Sequence, residues 1–498
     1  MTGFSYMELL RLALPPAMIV IAGFIALALD ILFLRDSTLR LRFTVAAAIA
    51  CAGCLSAALW IAFAQAHTLI PHGMLVCSPL TRLLQISLLI LAGLTILLSV
   101  ESTFTHHIGE YILLILLATS GMMFLVSTED LLLIFVSLEL LSLCLYVLTG
   151  FNKRSSHSAE AALKYFLFGG MSAAFLLFGF SLLYGLSGST NLVSIAAATS
   201  GPSLDPLLLV AIVMTVIGFG FKVAAVPFHL WAPDTYEGAP TPAAAFIASA
   251  SKVASFFVFA QVMVLGFAGV AGSAGWRAQA PGWVPLVAMV AALSMVLGNI
   301  AALAQKSVKR LLAYSAIAHA GYILLGIVSH TQQSIGAIIF YILTYALTTI
   351  GAFGVIALVE ENGSGDKLSD FAGLSRRAPI ASLCLLVFLL SLAGIPPLAG
   401  FFSKFYLFSA AIAGTPKSLS LIWLVILAIA MSAVSLYYYL QVLKQVFVEH
   451  PVVDAAEIKT PLITQVVLCL IAASVVLLGC APGPLVALIQ RAVLATAQ

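Results

Sequence analysis

Five ionisable side chains lie in sequence that is apolar on both sides of them. Glu139 sits in LIFVSLELLSLCLYV, Lys222 in GFGFKVAAVPF, Lys252 in FIASASKVASFF, His319 in SAIAHAGYILL and Lys404 in GFFSKFYLF. A charge held in hydrocarbon costs on the order of 2.5–3.5 kcal/mol by insertion scales, so such residues face protein or water and mark ion paths. Burial disfavours the charged form of any group, a neighbouring opposite charge favours it, and groups held in that balance exchange protons as their partners move. Imidazole relays protons near neutral pH. The chemistry this set implies is stepwise proton transfer through the interior of a membrane protein. One carboxylate does not neutralise three lysines, so some of the lysines are neutral part of the time or face water.

A sixth candidate, Lys164, follows Glu160 by four residues. A helical ion pair, or a side chain reaching toward the membrane surface, accounts for it as well as a relay does. Bland readings stay open for the others too: Glu139 and a lysine as an ion pair that fixes helix packing, His319 as a packing residue. His106 and His107 are adjacent instead of sharing a helix face, and indicate no haem or metal pair. Cys51 and Cys54 form a C-x-x-C inside an apolar run, away from any βαβ context, and read as small packing residues.

The elements that must hold these groups are apolar helices. The 498 residues are 62% hydrophobic and 8% charged, with a mean hydropathy of +1.15, whereas a soluble domain is about 25% charged. Apolar runs of about 20 residues, each long enough to cross a hydrocarbon core of ~30 Å, recur from end to end. Hydropathy and helix breakers place spans at 12–34, 42–64, 78–100, 111–127, 130–150, 160–186, 207–227, 241–266, 285–305, 308–328, 334–359, 380–413, 419–446 and 463–490. The expected fold is an all-α polytopic membrane protein of about fourteen transmembrane helices in a single membrane domain, 1–498. The first run is longer than the apolar core of a signal peptide and no small-residue cleavage site follows it, so it reads as a retained helix.

Odd-numbered loops carry thirteen of the 22 basic residues, among them Arg35, Lys153, Lys306, Lys367 and Lys459. The opposite face carries five: Arg11, Arg82, Arg277, Lys417 and Arg491. By the positive-inside rule both termini face away from the cytoplasm. The net charge of +3 is small and no basic patch forms, so nucleic acid is not an expected partner.

Two spans contain helix breakers. The seventh ends in Lys222-Val-Ala-Ala-Val-Pro227, and the twelfth contains Gly394-Ile-Pro-Pro397 shortly before Gly400 and Lys404. Proline removes a helical hydrogen bond, and the freed carbonyls are tolerable in a membrane only beside water or protein. A packing kink explains either break alone. Breaks at similar places in two halves, each with a lysine nearby, instead suggest an internal repeat around an ion path, pairing spans four to eight with spans nine to thirteen.

The segments ALKYF, GFGFKVAAVPFHLWAPDTYEGAPTP, YSAIAHAGY and LAGIPPLAGFFSKFYLF closely resemble the antiporter-like membrane subunits of respiratory complex I and related cation/proton antiporters, over nearly the whole chain. The run Gly218–Pro242 is the most specific. The resemblance implies three N-terminal helices (1–104), two five-helix units of inverted topology (105–270 and 280–450) with broken seventh and twelfth helices, and a last helix (455–498). It implies that Glu139 and Lys222 are a coupled pair, Lys252 and His319 the central connection, and Lys404 the last relay toward the far side. A lysine in the twelfth helix, together with the end of the chain soon after the fourteenth span, looks like the family's lysine-bearing type that has no long lateral helix.

The function implied is proton translocation by a membrane-arm subunit of NADH–quinone oxidoreductase in a bacterial inner membrane. Its partners would be the other membrane and peripheral subunits, neighbouring antiporter-like subunits among them, and the lipid bilayer. The sequence shows no cysteine cluster or dinucleotide-binding glycine motif after a strand, so no cofactor is expected in this chain; FMN, iron–sulfur clusters and quinone are expected in partner subunits. The alternative within the family is a subunit of a membrane-bound hydrogenase or multisubunit sodium/proton antiporter. Outside these, a structural adaptor and an autonomous secondary transporter are the competing classes.

Overall fold

The computed structural model describes residues 6–63, 74–201, 205–276, 278–363, 365–413, 420–450 and 458–496. Arg277 and Lys417 of the charge asymmetry, the expected span ends at 64 and 419, and the 455 boundary lie outside the described residues. Among those described, twenty α-helices follow one another. The first eleven are α1 (Tyr6–Leu32), α2 (Leu39–Phe63), α3 (Pro79–Leu98), α4 (Ile108–Leu125), α5 (Leu131–Thr149), α6 (Ser156–Ser187), α7 (Leu192–Thr199), α8 (Pro206–Lys222), α9 (Trp231–Gly238), α10 (Thr241–Ala248) and α11 (Ala250–Gln261). A hairpin of β1 (Ser273–Gly275) and β2 (Ala278–Ala280) precedes α12 (Trp283–Leu303), α13 (Val308–Ser329), α14 (Gln332–Glu361), α15 (Leu374–Arg377), α16 (Pro379–Ala393), α17 (Ala399–Ala413), α18 (Ile422–Phe447), α19 (Leu462–Cys480) and α20 (Gly483–Thr496).

Among the described residues, twelve helical stretches are long and apolar enough to cross a membrane. Several of them start at short polar caps that satisfy the first free N–H groups. Asp130 accepts from Leu132 and Leu133 before α5, Ser155 from Ser158 before α6, and Ser307 from Arg310 before α13. The expected seventh and twelfth spans are the interrupted ones, and with the twelve they make up the expected fourteen. α8 stops at Lys222 and the chain resumes as α9 at Trp231; α16 stops at Ala393 and resumes as α17 at Ala399.

Burial sorts the helices into a centre and a rim. The most hydrophobic window of the α10–α11 stretch is 100% buried, that of α13 94% and that of α14 89%, against 33% for α1, α18 and α19. The rim is apolar outward, as on α6, where Leu163, Phe166, Leu167 and Met171 are all more than half exposed. Such a face suits lipid or another membrane subunit.

Three features depart from the expectation. The eighth span is not one helix: it breaks at Ser249, between α10 and α11, and ends in a π-helical turn, Val262–Gly266. No proline or glycine marks that break. Ser249 Oγ bonds back to Ala245 O at 2.5 Å, a contact that bends helices inside continuous apolar sequence. The fourteenth span, expected at 463–490, divides at Ala481–Pro482 into α19 and α20, since Pro482 and Gly483 end one helix and open the next. The short α7 and the β-hairpin fall in segments read as loops. At the end of α19 the Gly479 backbone presses against Pro397 and Leu398, leaving no room for a Cβ.

Candidate proton path

Lys404 is 5% exposed on α17, and its side chain reaches back across the break in its own span. Nζ donates to Leu392 O and Ala393 O, each at 3.0 Å, and to Ser432 Oγ on α18 at 2.8 Å. An ammonium has three donors, and all three are used. Two of the acceptors are carbonyls that the end of α16 frees, so the broken helix builds the lysine's site. Gly394 makes the turn with φ +89°, and a Cβ there would lie 3.0 Å from Lys404 Cδ. Tyr322 offers its ring face to the same ammonium, 5.3 Å from Nζ to centroid.

Lys222 stands at the other interruption, as the last residue of α8. It is 8% exposed and donates to Ser142 Oγ on α5. Past it Ala224 takes φ +58°, and Val226 N donates to Ser294 Oγ at 2.9 Å, which ties the loop to α12. Glu139 lies one helical turn before Ser142 on α5, partly exposed beside the outward-facing Val136 and Leu143. Glu139 and Lys222 are near each other, but among the described residues they make no salt bridge; Ser142 stands between the lysine and the turn that carries the carboxylate. The packing ion pair left open by the sequence is therefore not formed in this state.

Lys252, on α11, reaches the α13 turn that precedes His319. Lys252 is 1% exposed and donates to Ala316 O at 3.1 Å; Ala316 precedes His319 by three residues, ~4.5 Å along the helix. His319 is 4% exposed and held at both ring nitrogens, Nδ1 to the Tyr341 hydroxyl at 2.8 Å and Nε2 to the Tyr439 hydroxyl at 3.4 Å. Tyr439 passes the connection on to Ser315. A cavity of about 10 Å³, room for roughly one water, lies among His319, Tyr341, Tyr345 and Thr348 and is also lined by Ser391 and Leu392 of α16. It therefore joins the histidine to the helix end that binds Lys404.

Lys164 is not part of this buried row. It is 40% exposed, pairing with Glu160 at 2.8 Å and Asp234 at 2.7 Å. Asp234 also binds Arg310 at 2.8 Å, and Arg310 binds Glu237 at 2.8 Å, so α6, α9 and α13 share one surface ion network. Ion pairs this exposed contribute little stability one by one; together they link α6, α9 and α13.

Ser142, Ser432, Tyr341, Tyr439 and Asp234 were not singled out from sequence. One signal was present: Tyr341, Thr344, Tyr345 and Thr348 follow the i, i+3, i+4, i+7 spacing of one helix face within an apolar run. That polar stripe faces His319 and the α16–α17 break. Ser432 and Tyr439 have no comparable pattern. Among the described residues no group of three or more His, Cys, Asp or Glu side chains is arranged to hold a metal ion.

Residues 128–432 match the family described as NADH:quinone oxidoreductase/Mrp antiporter, TM. A relative from Acidobacterium capsulatum, "NADH-quinone oxidoreductase subunit N 2", is 56% identical over 492 residues, covering 97% of this chain and 99% of the relative. The chain belongs to this family. Among solved structures, respiratory complex I from Thermus thermophilus with bound aureothin contains a chain that is 34% identical, with a TM-score of 0.76 over 95% of this chain and 98% of that one. An archaeal membrane-bound sulfane sulfur reductase contains another family-like chain, 25% identical with a TM-score of 0.84 over 98% of each. The same fold thus serves more than one respiratory assembly, and the buried lysines are to be read within a family of ion-moving membrane subunits.

Proposed function

We propose that this chain is the N-type proton-translocating membrane subunit of a bacterial NADH–quinone oxidoreductase, with Glu139, Lys222, Lys252, His319 and Lys404 as its relay. Lys164 serves as a register-holding partner at one end of the first unit. The observation that carries this reading is the placing of Lys222 and Lys404 at the two helix interruptions, each bonded to a serine of a facing helix, with Lys252 of α11 bonded to the Ala316 carbonyl one turn before His319 on α13. The 56% identity to a relative of that name selects the assembly. Both termini then face the periplasm and the basic loops the cytoplasm.

Each relay group answers to the charge of the next. A proton gained or lost at Glu139 changes the field at Lys222; transfer onward through water reaches Lys252, His319 and the single-water cavity before Lys404. Oxidation of NADH and reduction of quinone take place in partner subunits, and conformational or electrostatic change arriving from them sets the order of transfer.

The assignment to this assembly is tested by purifying the chain in mild detergent from its native membrane and identifying what comes with it. Flavin and iron–sulfur subunits with NADH:quinone reductase activity are expected; hydrogenase or sodium/proton antiporter subunits without that activity would assign the chain to the alternative. The site makes its own prediction through Gly394. Gly394→Val and Gly363→Val both place a branched residue at positive φ, +89° and +82°, straining each by about 1–2 kcal/mol. Of the two, Gly394 abuts Lys404; among the described residues nothing lies within 4 Å of a Cβ at Gly363. NADH-driven proton pumping should fall about fivefold or more in Gly394→Val and stay near normal in Gly363→Val, as measured by acidification of inverted vesicles.

A further inference from the structure

A cavity of about 490 Å³ lies on the face that bears the basic loops, bounded by α5–α6 loop residues Asn152 and Ser155, by Glu237 and Gly238 of α9, and by Gly365 and Asp366 beyond α14. It has room for many waters. Its lining includes four carboxylates, Glu237, Glu360, Glu361 and Asp366, against one lysine, Lys309. A cavity so charged concentrates cations, protons included, from the adjoining solution.

One part of the lining is an ion pair between a buried lysine and a partly exposed carboxylate. Lys309 is 6% exposed and binds Glu360 Oε1 at 2.8 Å. The Thr241 hydroxyl joins both partners, donating to Glu360 Oε2 and accepting from Lys309 Nζ at 3.3 Å. Each of the three starts a line toward the buried lysine. From Thr241, α10 runs through Ala243, Ala244, Ala245 and Ala248 to the break at Ser249, three residues before Lys252. From Lys309, α13 leads in seven residues, ~10 Å, to Ala316, whose carbonyl accepts from Lys252. Glu360 lies in the last turn of α14, the helix that carries the polar stripe facing His319.

We propose that this cavity is the proton-uptake vestibule for Lys252, with Glu360 as the group that takes the proton and Thr241 and Lys309 as the gate. The proposal rests on the relay reading given above. A hydronium in the vestibule gives its proton to a Glu360 carboxylate oxygen, forming an O–H bond and leaving water. The neutral carboxyl no longer holds the Lys309 ammonium, the Thr241 bond loosens, and water enters between small alanine side chains. The Glu360 O–H bond then breaks toward that water, the proton passes on to Lys252, and the restored carboxylate recaptures Lys309. The charged or titratable groups around Glu360 are Lys309 on α13, Glu237 on α9, His157 on α6, Asp366 past α14 and its own neighbour Glu361. Of these, Glu237 is engaged by Arg310, Asp366 accepts from Ser307, and Glu361 binds Thr103. Among the described residues, Lys309 is the charge partner that bonds Glu360.

The test uses the whole complex in inverted membrane vesicles, where the buffer bathes the basic-loop face. Glu360→Gln should slow NADH-driven pumping about fivefold at pH 8 and about twofold at pH 6, because plentiful protons partly bypass the missing acceptor. Glu360→Asp should recover more than half of the rate. Thr241→Val, nearly isosteric, should slow pumping about threefold with the same pH trend and carries the test if Glu360→Gln fails to assemble. Assembled Glu360→Gln and Thr241→Val with the wild-type rate and pH profile would overturn the proposal. So would an equal loss at both pH values that Asp does not recover, which is the mark of a structural role alone. Lys404→Ala measured alongside separates the two readings: if it pumps normally the relay itself fails, whereas if it is impaired while Glu360→Gln and Thr241→Val are normal, only the vestibule fails.

Discussion

Replacing Lys404 by alanine is expected to lower NADH-driven proton pumping at least about tenfold while the subunit still joins its complex. The magnitude follows from the 10²–10⁴-fold that a positioned proton-transfer group contributes, reduced because water entering the emptied site restores part of the path. Leu392 O and Ala393 O lose their donor in this variant. An acceptor left unsatisfied in the interior costs about 1–3 kcal/mol, so some loss of stability accompanies the loss of pumping. Lys404→Arg tells the two effects apart. Arginine keeps the positive charge and donors for the same carbonyls but does not release its proton. A purely structural lysine would be replaced with modest effect; a lysine that must deprotonate would not. Quenching of a pH-sensitive dye in inverted vesicles, with the complex quantified on native gels, measures both variants.

Lys222→Ala is expected to have an effect of similar size, about tenfold, with a milder counterpart on the facing helix. Ser142 is the side chain that receives the Lys222 donor, so Ser142→Ala should slow pumping about two- to threefold by removing one hydrogen bond to a charged group and loosening the lysine's position. If Glu139 acts on Lys222 through its field instead of by contact, Glu139→Gln should be as damaging as Lys222→Ala even though no bond is cut. A Glu139→Gln complex that pumps at the wild-type rate would leave the carboxylate a bystander on the outer face of α5. The adaptor reading makes the opposite forecast for all of these variants, lost assembly with little change in turnover per assembled complex.

The parts of the fold legible in the sequence were those written as contrast between neighbouring residues. Lysines in apolar runs, prolines beside them and basic residues gathered in alternate loops each stand out locally. These give the span count, the two breaks at Lys222 and Gly394, and the five proposed relay residues. Where local contrast is absent the sequence is silent. The break at Ser249 lies in an alanine-rich run without proline or glycine, where the serine bonds back to its own helix. Lys164 looked like a span residue because five apolar residues follow within two turns, yet the fold brings Asp234 to it from 70 residues away and leaves it at the surface. The Tyr439 hydroxyl reaches His319 over a separation of 120 residues, a contact that only the packing of α18 against α13 creates. Pairings of that kind depend on which helices adjoin, and helix periodicity does not encode that order.

The most direct measurement is the number of protons moved per NADH oxidised by proteoliposomes holding the purified complex with Lys404→Arg. A ratio clearly below wild type, or turnover that stalls as the lysine site fails to release its proton, is the result expected of a working relay. A wild-type ratio at the wild-type rate would contradict it, and would leave Lys404 as a bracket for a broken helix.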